Sequence, residues 1–430
     1  MKKFTSVVKS VLILGLAALA VFQISRLWFV NLTNRNFFLY LAARFPVAVP
    51  DGQNAWARPF RIIYGSERYN IRYSGIENSF EWEFGLNALD AIIRSGSFAG
   101  IIDADSSRIT NRVGFIFEYN FQMCSETFTR AMGRRRGGVL TGQGPETFSS
   151  IVIQPPIEGD SLLRAFFLSE GRAWEFTLQP GSGRHSAEDF ALSVPYVRAD
   201  GLYFVRSEGI FLPRFGGDFY YRSAIPRNPH HDRYGHLFMS SIRPHIEHFF
   251  ANPVTIHSSV RADVYTFSNL STMVRYHPND VLEYTSYRRV GRTTPAGILS
   301  DFSVARAFIA RDISNDTEIY FAGYDVRGSE YIFRFNFVFD NFPMIMISPW
   351  PTSANCNDPL YAPLEITVEH GRVVRYRRLA INFIPGSRQL FNSEDPNIDG
   401  EIRLGFVLDR NEISHTLPLT VFKINPKGAD

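Results

Sequence analysis

Tyr331-Ile-Phe-Arg-Phe-Asn-Phe-Val-Phe339 places an aromatic ring at every second position, with Ile332, Arg334, Asn336 and Val338 between. Successive side chains of a strand point to opposite faces, so this stretch reads as a long β-strand with one apolar face turned to a core. Working outward, Glu318–Tyr324 pairs with it across an Arg327-Gly328 turn. Leu364–Glu369 and Arg372–Ile381 flank His370-Gly371, a second hairpin. Ahead of them Asp301–Ala310 is helical, with Ser300 as the expected N-cap.

The same order, a helix and then a meander, precedes this block. The stretch 234–250 has helical patterning, with Pro244 expected to break it or restart it after Ser240 and Ser241. Strands are expected at 262–267, 273–276 and 281–284. Nearer the N-terminus, Phe60–Tyr64 and Tyr69–Tyr73 form a hairpin, Phe84–Ile93 a helix, and Val113–Tyr119 and Phe148–Ile153 strands. The expected fold class is therefore α+β: two to three domains of antiparallel sheet with packed helices, bounded near 36–210, 211–295 and 296–430. Residues 30–60 are read as a membrane-proximal stretch.

Composition limits the function classes. Hydrophobic residues are 45% and charged residues 20% of the 430, which excludes disordered and fibrous chains. Aromatic residues reach 15%, favouring sheets. A net charge of +3 is too small to indicate nucleic acid as a partner. The only two cysteines, Cys124 and Cys356, exclude a Cys-based zinc ribbon and a disulfide-dense scaffold. Two separate thiols or one long-range disulfide both remain open.

Several constellations bear on chemistry. Gly159-Asp-Ser-Leu162 spells the signature of one serine-esterase class, with Ser161 as nucleophile. The D-x-x-H that such chemistry requires occurs nowhere in the chain, so the motif reads as a turn or helix cap. Gly137–Gly144 lacks the Gly-Lys-Ser/Thr ending of a phosphate loop and reads, with Arg134–Arg136, as a basic solvated hairpin loop. Seven of the ten histidines lie between His230 and His277. His245 and His248 share a helix face at three-residue spacing. His230, His231 and Asp232 add possible metal ligands, but H-E-x-x-H is absent, and scattered structural and surface histidines are the default. A pH-responsive patch is the other reading of the same residues. Glu81/Glu83 and Asp103/Asp105 are expected to be exposed acidic pairs. No catalytic site, metal or cofactor is expected.

The N-terminus carries the clearest physical signal. Lys2, Lys3 and Lys9 precede an uncharged run from Ser10 to Ser25 that Arg26 closes. As a helix its 16 residues span about 24 Å, slightly short of the roughly 30 Å hydrocarbon core. Lys9 and Arg26 can snorkel, and Leu27-Trp-Phe-Val30 extends the run into the interface. Ala18-Leu-Ala20 fits a signal-peptidase site. The apolar and aromatic residues beyond it favour an uncleaved anchor over residues 10–30, with residues 1–9 in the cytoplasm by the charge bias. About 400 residues then lie outside the membrane.

The whole arrangement resembles the YycH family, the membrane-anchored extracytoplasmic regulators of an essential cell-wall sensor histidine kinase in Gram-positive bacteria. The likeness lies in Gln23-Ile-Ser-Arg-Leu-Trp-Phe29 with Asn36-Phe-Phe38, and in Phe249-Phe-Ala-Asn-Pro253, Val264–Phe267, Val274–Tyr276 and Val281–Tyr284. It continues in Glu318–Phe321, Gly323-Tyr324, Pro363–Val368 and Gly371–Leu379, where the C-terminal domain is also similar to the sister protein YycI. The resemblance implies a non-enzymatic regulator, with the sensor kinase, a YycI-like protein and the membrane as partners. Family members associate partly through transmembrane helices. Leu12, Gly15, Leu16, Leu19 and Phe22 are accordingly the expected contact residues, with Gly15, Ala17, Ala18 and Ala20 permitting close approach. The rival reading is an exported binding module for cell-wall polymer, supported by Arg134–Arg136 and the aromatic content.

Overall fold

Nine antiparallel strands built from the first half of the chain make one sheet. They are β1 (Arg61–Gly65), β2 (Tyr69–Tyr73), β3 (Ser97–Asp103), β4 (Gly114–Cys124), β5 (Thr147–Gln154), β6 (Leu163–Ser169), β7 (Arg172–Leu178), β8 (Leu202–Ser207) and β9 (Ile210–Phe215). Their order is β3-β7-β6-β5-β4-β1-β2-β8-β9. Helix α1 (Phe80–Ser95) carries the chain from β2 to the far edge. Its Trp82 packs edge-on against Phe117 of β4, with ring centroids 5.7 Å apart. Two short helices, α2 (Ser125–Ala131) and α3 (Val139–Gln143), join β4 to β5. The all-buried pattern of β1 follows from its central place: Ile62 faces the main core, and Ile63 faces a second cluster with Tyr69, Phe204 and Phe211.

This computed structural model describes residues 55–65, 67–73, 80–105, 109, 114–133, 139–154, 162–178, 202–207, 210–215, 220–231, 237–287, 297–313, 318–346, 360–390, 402–408, 417 and 419–423. All belong to a unit that spans Asp51–Asp430. The expected anchor, with Leu12, Gly15, Leu16, Leu19 and Phe22, lies outside the described residues, as do Arg134–Arg136, Ser161 and Cys356. Among the described residues no helix is long and apolar enough to cross a membrane.

The remaining strands form a two-stranded ribbon and an eleven-stranded sheet. The ribbon pairs β10 (Tyr220–Arg227) with β20 (Asn382–Leu390). Helix α4 (Met239–Ile246) and a 3-10 turn (Glu247–Phe249) lead into β11 (His257–Arg261), β12 (Val264–Ser268), β13 (Thr272–Tyr276) and β14 (Val281–Ser286). Helix α5 (Ile298–Asp312) leads into β15 (Glu318–Arg327), β16 (Glu330–Phe339), β17 (Phe342–Met346), β18 (Leu364–Glu369) and β19 (Arg372–Leu379); β21 (Ile402–Leu408) and β22 (Leu419–Lys423) complete the set. Pairing is antiparallel throughout this sheet except between β17 and β21. The described residues are thus mixed α+β, mostly antiparallel sheet with few helices.

The two helix-then-meander blocks share this sheet, because β14 pairs with β19 from Val281↔Leu379 to Thr285↔Arg375. The boundary expected near 295 therefore falls between parts of one continuous layer. Left to itself, β14 would present an open edge of unpaired backbone groups. Alternation in β16 orients as the sequence predicts: Phe333, Phe335 and Phe337 are buried, and Phe302 of α5 packs on Phe333 and Phe335.

Some expectations are corrected. Ser300 is not the cap of α5; the helix starts three residues earlier than expected, at Ile298, with Gly297 at the N-cap. Pro244 sits inside α4 instead of ending it. Val139–Gln143, read as part of a solvated loop, is a helical turn that buries Leu140. Glu81 lies on α1, buried, and bonds Arg72 at 2.9 Å, so it is not half of an exposed pair. Asp103 and Asp105 are exposed, with Asp105 N–H donating to the Asp103 carboxylate. Trp56, placed by the sequence in a membrane-proximal stretch, is a core residue, and so is Phe60 at the start of the first expected strand. Trp56 packs against Phe121 near the first sheet's centre and against Phe302, Phe321, Tyr324 and Phe333, at centroid distances of 5.1–6.3 Å.

Candidate functional site

Helix α5 determines where the polar groups of the second half converge, because a buried carboxylate pins each of its ends. Phe302, Ala305 and Ile309 recur at near-helical spacing and bury one face. At the first turn Asp301 accepts a bond from the Gly371 N–H in the β18–β19 turn, 2.8 Å away. There the helix dipole favours an acid. At the last residue Asp312 stands where the dipole disfavours it, and β19 supplies the compensation. Arg378 donates to both Asp312 oxygens, and the Tyr376 hydroxyl donates to Oδ2 at 2.6 Å. His248 Nε2 lies 3.4 Å from Oδ1. Burial works against the Asp312 charge, but Arg378 and His248 outweigh it and hold the carboxyl far below its ordinary range. Burial and then Asp312 push the Tyr376 phenol well up, so it stays protonated.

Above this pair lies the connection that leaves β10. Asn228 is its hub: the side-chain amide donates to the Tyr276 hydroxyl and to Asp280, and its carbonyl oxygen accepts from the His230 N–H at 2.8 Å. His231 Nε2 lies 3.5 Å from Asp280. This hub seats the His230 ring, 1% exposed, edge-on to His245 of α4 at 4.5 Å and to Tyr276 of β13 at 5.1 Å. Neither ring nitrogen of His230 has a hydrogen-bond partner among the described residues. Burial first, then Arg378 and His245, lower its pKa to about 3. Burial and Arg378 also lower His245, whose side chain is open to solvent.

The sheet carries a second polar feature on the alternate face of its strands. Arg275, Glu283, Arg377, Glu365 and Arg334 stand directly opposite one another across β13, β14, β19, β18 and β16. The row alternates in sign, the arrangement that favours cross-strand pairing. Arg377 donates to Glu365, Arg334 Nε lies 3.5 Å from Glu365, and Arg375 reaches Glu283 at 2.7 and 3.0 Å. Burial opposes the Glu283 charge, but His277 and Arg375 pull its pKa down to about 2.

Of the histidines singled out in the sequence, His230, His245 and His248 come together around Asp312 and Arg378. His231 joins the Asn228 hub, His277 serves the charge row, His257 is exposed on the edge strand β11, and His236 lies outside the described residues. Among the described residues no group of three or more His, Cys, Asp or Glu converges as a metal ion needs. Asn228, Tyr276, Tyr376, Asp312 and Arg378 were not marked as site residues by sequence. The available signal was Asp312 at a helix end and Tyr376/Arg378 two apart on an expected strand. Comparisons with family models, curated proteins and solved structures returned no match to this chain.

Proposed function

We propose that the protein is a membrane-anchored, non-enzymatic regulator of a sensor histidine kinase that controls cell-wall metabolism, with its large sheet body outside the membrane. The observation that carries this reading is the uncharged run Ser10–Ser25, framed by Lys9 and Arg26 and followed by about 400 residues of globular character. A second observation supports it. The segments that resemble the family's middle and C-terminal domains are scattered over more than a hundred residues of sequence, yet β12, β13, β14, β19 and β18 stand side by side in one sheet, which β15 joins through β16. A likeness distributed in this way follows a folded unit and not one local motif.

In this reading the Val11–Phe22 helix contacts kinase helices through Leu12, Gly15, Leu16, Leu19 and Phe22, and the sheet body meets a YycI-like partner. The test is to exchange residues 10–25 for an unrelated single-span anchor and follow kinase-dependent transcription in cells. Regulation is expected to be lost while the protein accumulates to its normal level. Retained regulation would overturn the transmembrane contact.

A further inference from the structure

We infer that Asn228–His231 is a proton-released latch: a proton added to His230 detaches this segment from helix α4 and from the sheet. A charged His230 would present two N–H donors, and among the described residues neither ring nitrogen has an acceptor within hydrogen-bond distance. The groups packed around it are mostly positive or neutral. Arg378 approaches from β19, His245 from α4, His231 from the same segment and the protonated Tyr276 from β13. The acid on this side, Asp312 at the end of α5, is already engaged by Arg378, Tyr376 and His248. Asp280, in the β13–β14 turn, is engaged by Asn228 and His231. The solvent-open ring of His245 lies against His230 and gives protons an entry.

Detachment is local because the hub is local: the side chain of Asn228 ties the segment to Tyr276 and Asp280, and His231 adds a second contact to Asp280. Once the segment is released, His230 takes its proton at the ordinary histidine value, roughly 6.5. Opening therefore becomes about tenfold easier for each pH unit below that value, down to the folded-state value of about 3. For an exported regulator the consequence is a response to an acidified envelope, which rests on the function proposed above. The latch itself does not.

Hydrogen exchange of the full-length protein in detergent micelles tests it without any kinase. Protection factors divide out the intrinsic pH dependence of exchange. Between pH 7.5 and 5.0, peptides covering residues 228–231 and 239–249 are expected to lose about thirtyfold in protection, while β5 peptides stay constant. His230→Phe, or His230→Gln if the larger ring does not fit, reduces that loss to less than about fivefold. Wild-type protection of both segments that holds within about threefold across this range overturns the latch, as does an undiminished loss in the folded His230 variant.

Discussion

His230 and Asp312 illustrate opposite solutions to the burial of a titratable group. Asp312 keeps its charge because Arg378 and Tyr376 satisfy it from one strand, two residues apart on the same face. His230 gives its charge up because it is buried beside Arg378 and, among the described residues, neither ring nitrogen has a hydrogen-bond partner. The sign of the pH effect follows. A histidine whose folded pKa lies below the unfolded one contributes stability that is present above about 6.5 and is lost as pH falls toward about 3. Glu283, lowered to about 2, adds a second loss that begins only below its ordinary 4.5. Urea unfolding is therefore expected to show a decrease of about 2 kcal/mol between pH 7 and pH 5, most of it removed in His230→Gln. An unchanged free energy over that interval in the wild type would contradict the assignment. The sequence makes these histidines visible as a cluster but not their pairing, because their partners come from β13, α5 and β19, up to 148 positions away (378 − 230).

At the scale of elements, hairpins were the most legible feature. Among the described residues, four two-residue turns have both central residues at positive φ: Glu170-Gly171, Ala262-Asp263, Asp340-Asn341 and His370-Gly371. This backbone matches the right-handed twist of the flanking strands. His370-Gly371 was read directly from sequence because glycine adopts φ > 0 without steric cost; Ala262-Asp263 was not, since neither residue advertises it. At Gly371 (φ +77°) a Cβ meets nothing within 4 Å, so substitution tests conformation alone. Gly371→Ala is expected to cost about 1 kcal/mol in thermal or urea unfolding, and Gly371→Asn less, because asparagine tolerates the left-handed region. Equal costs for the two variants would show that the strain lies elsewhere. The ribbon of β10 and β20 escaped sequence reading for a specific reason. Pro226 and Pro385 interrupt the strand pattern, and proline is tolerated only where a strand's N–H faces no ladder partner.

Among the described residues, periodicity exposed β1, β2, β4, β5, β12 to β16, β18, β19 and the helices α1, α4 and α5, but not β3, β6 to β11, β17, β20 to β22, α2 or α3, and not the joining of blocks into sheets. Alternation shows that β14 and β19 are each amphipathic or buried; it carries no information that they are neighbours, 91 residues apart at Tyr284↔Tyr376 by chain count between them (376 − 284 − 1). Trp56 was missed for a related reason. It is a lone aromatic beside Pro59, with no periodic pattern around it, yet its ring contacts α5 and residues of β4, β15 and β16. Trp56→Ala is expected to destabilise the protein by about 3–5 kcal/mol, through lost burial and a cavity that rigid neighbouring rings cannot fill. Denaturation followed by far-ultraviolet circular dichroism and by intrinsic fluorescence should shift together; a loss under about 1 kcal/mol would mean that the indole packs loosely. The anchor expected over residues 10–30 rests on a different kind of signal, hydrophobic length and flanking charge, and lies outside the described residues. The measurement that bears most directly on the proposed function is therefore made at the membrane: the tagged full-length protein is purified in mild detergent from its native membranes, and its partners are identified by mass spectrometry. Recovery of a sensor histidine kinase, lost when residues 10–25 are replaced by a foreign anchor, is the result predicted; a protein cleaved after Ala20, released from the membrane and free of any kinase, is the result that would contradict it.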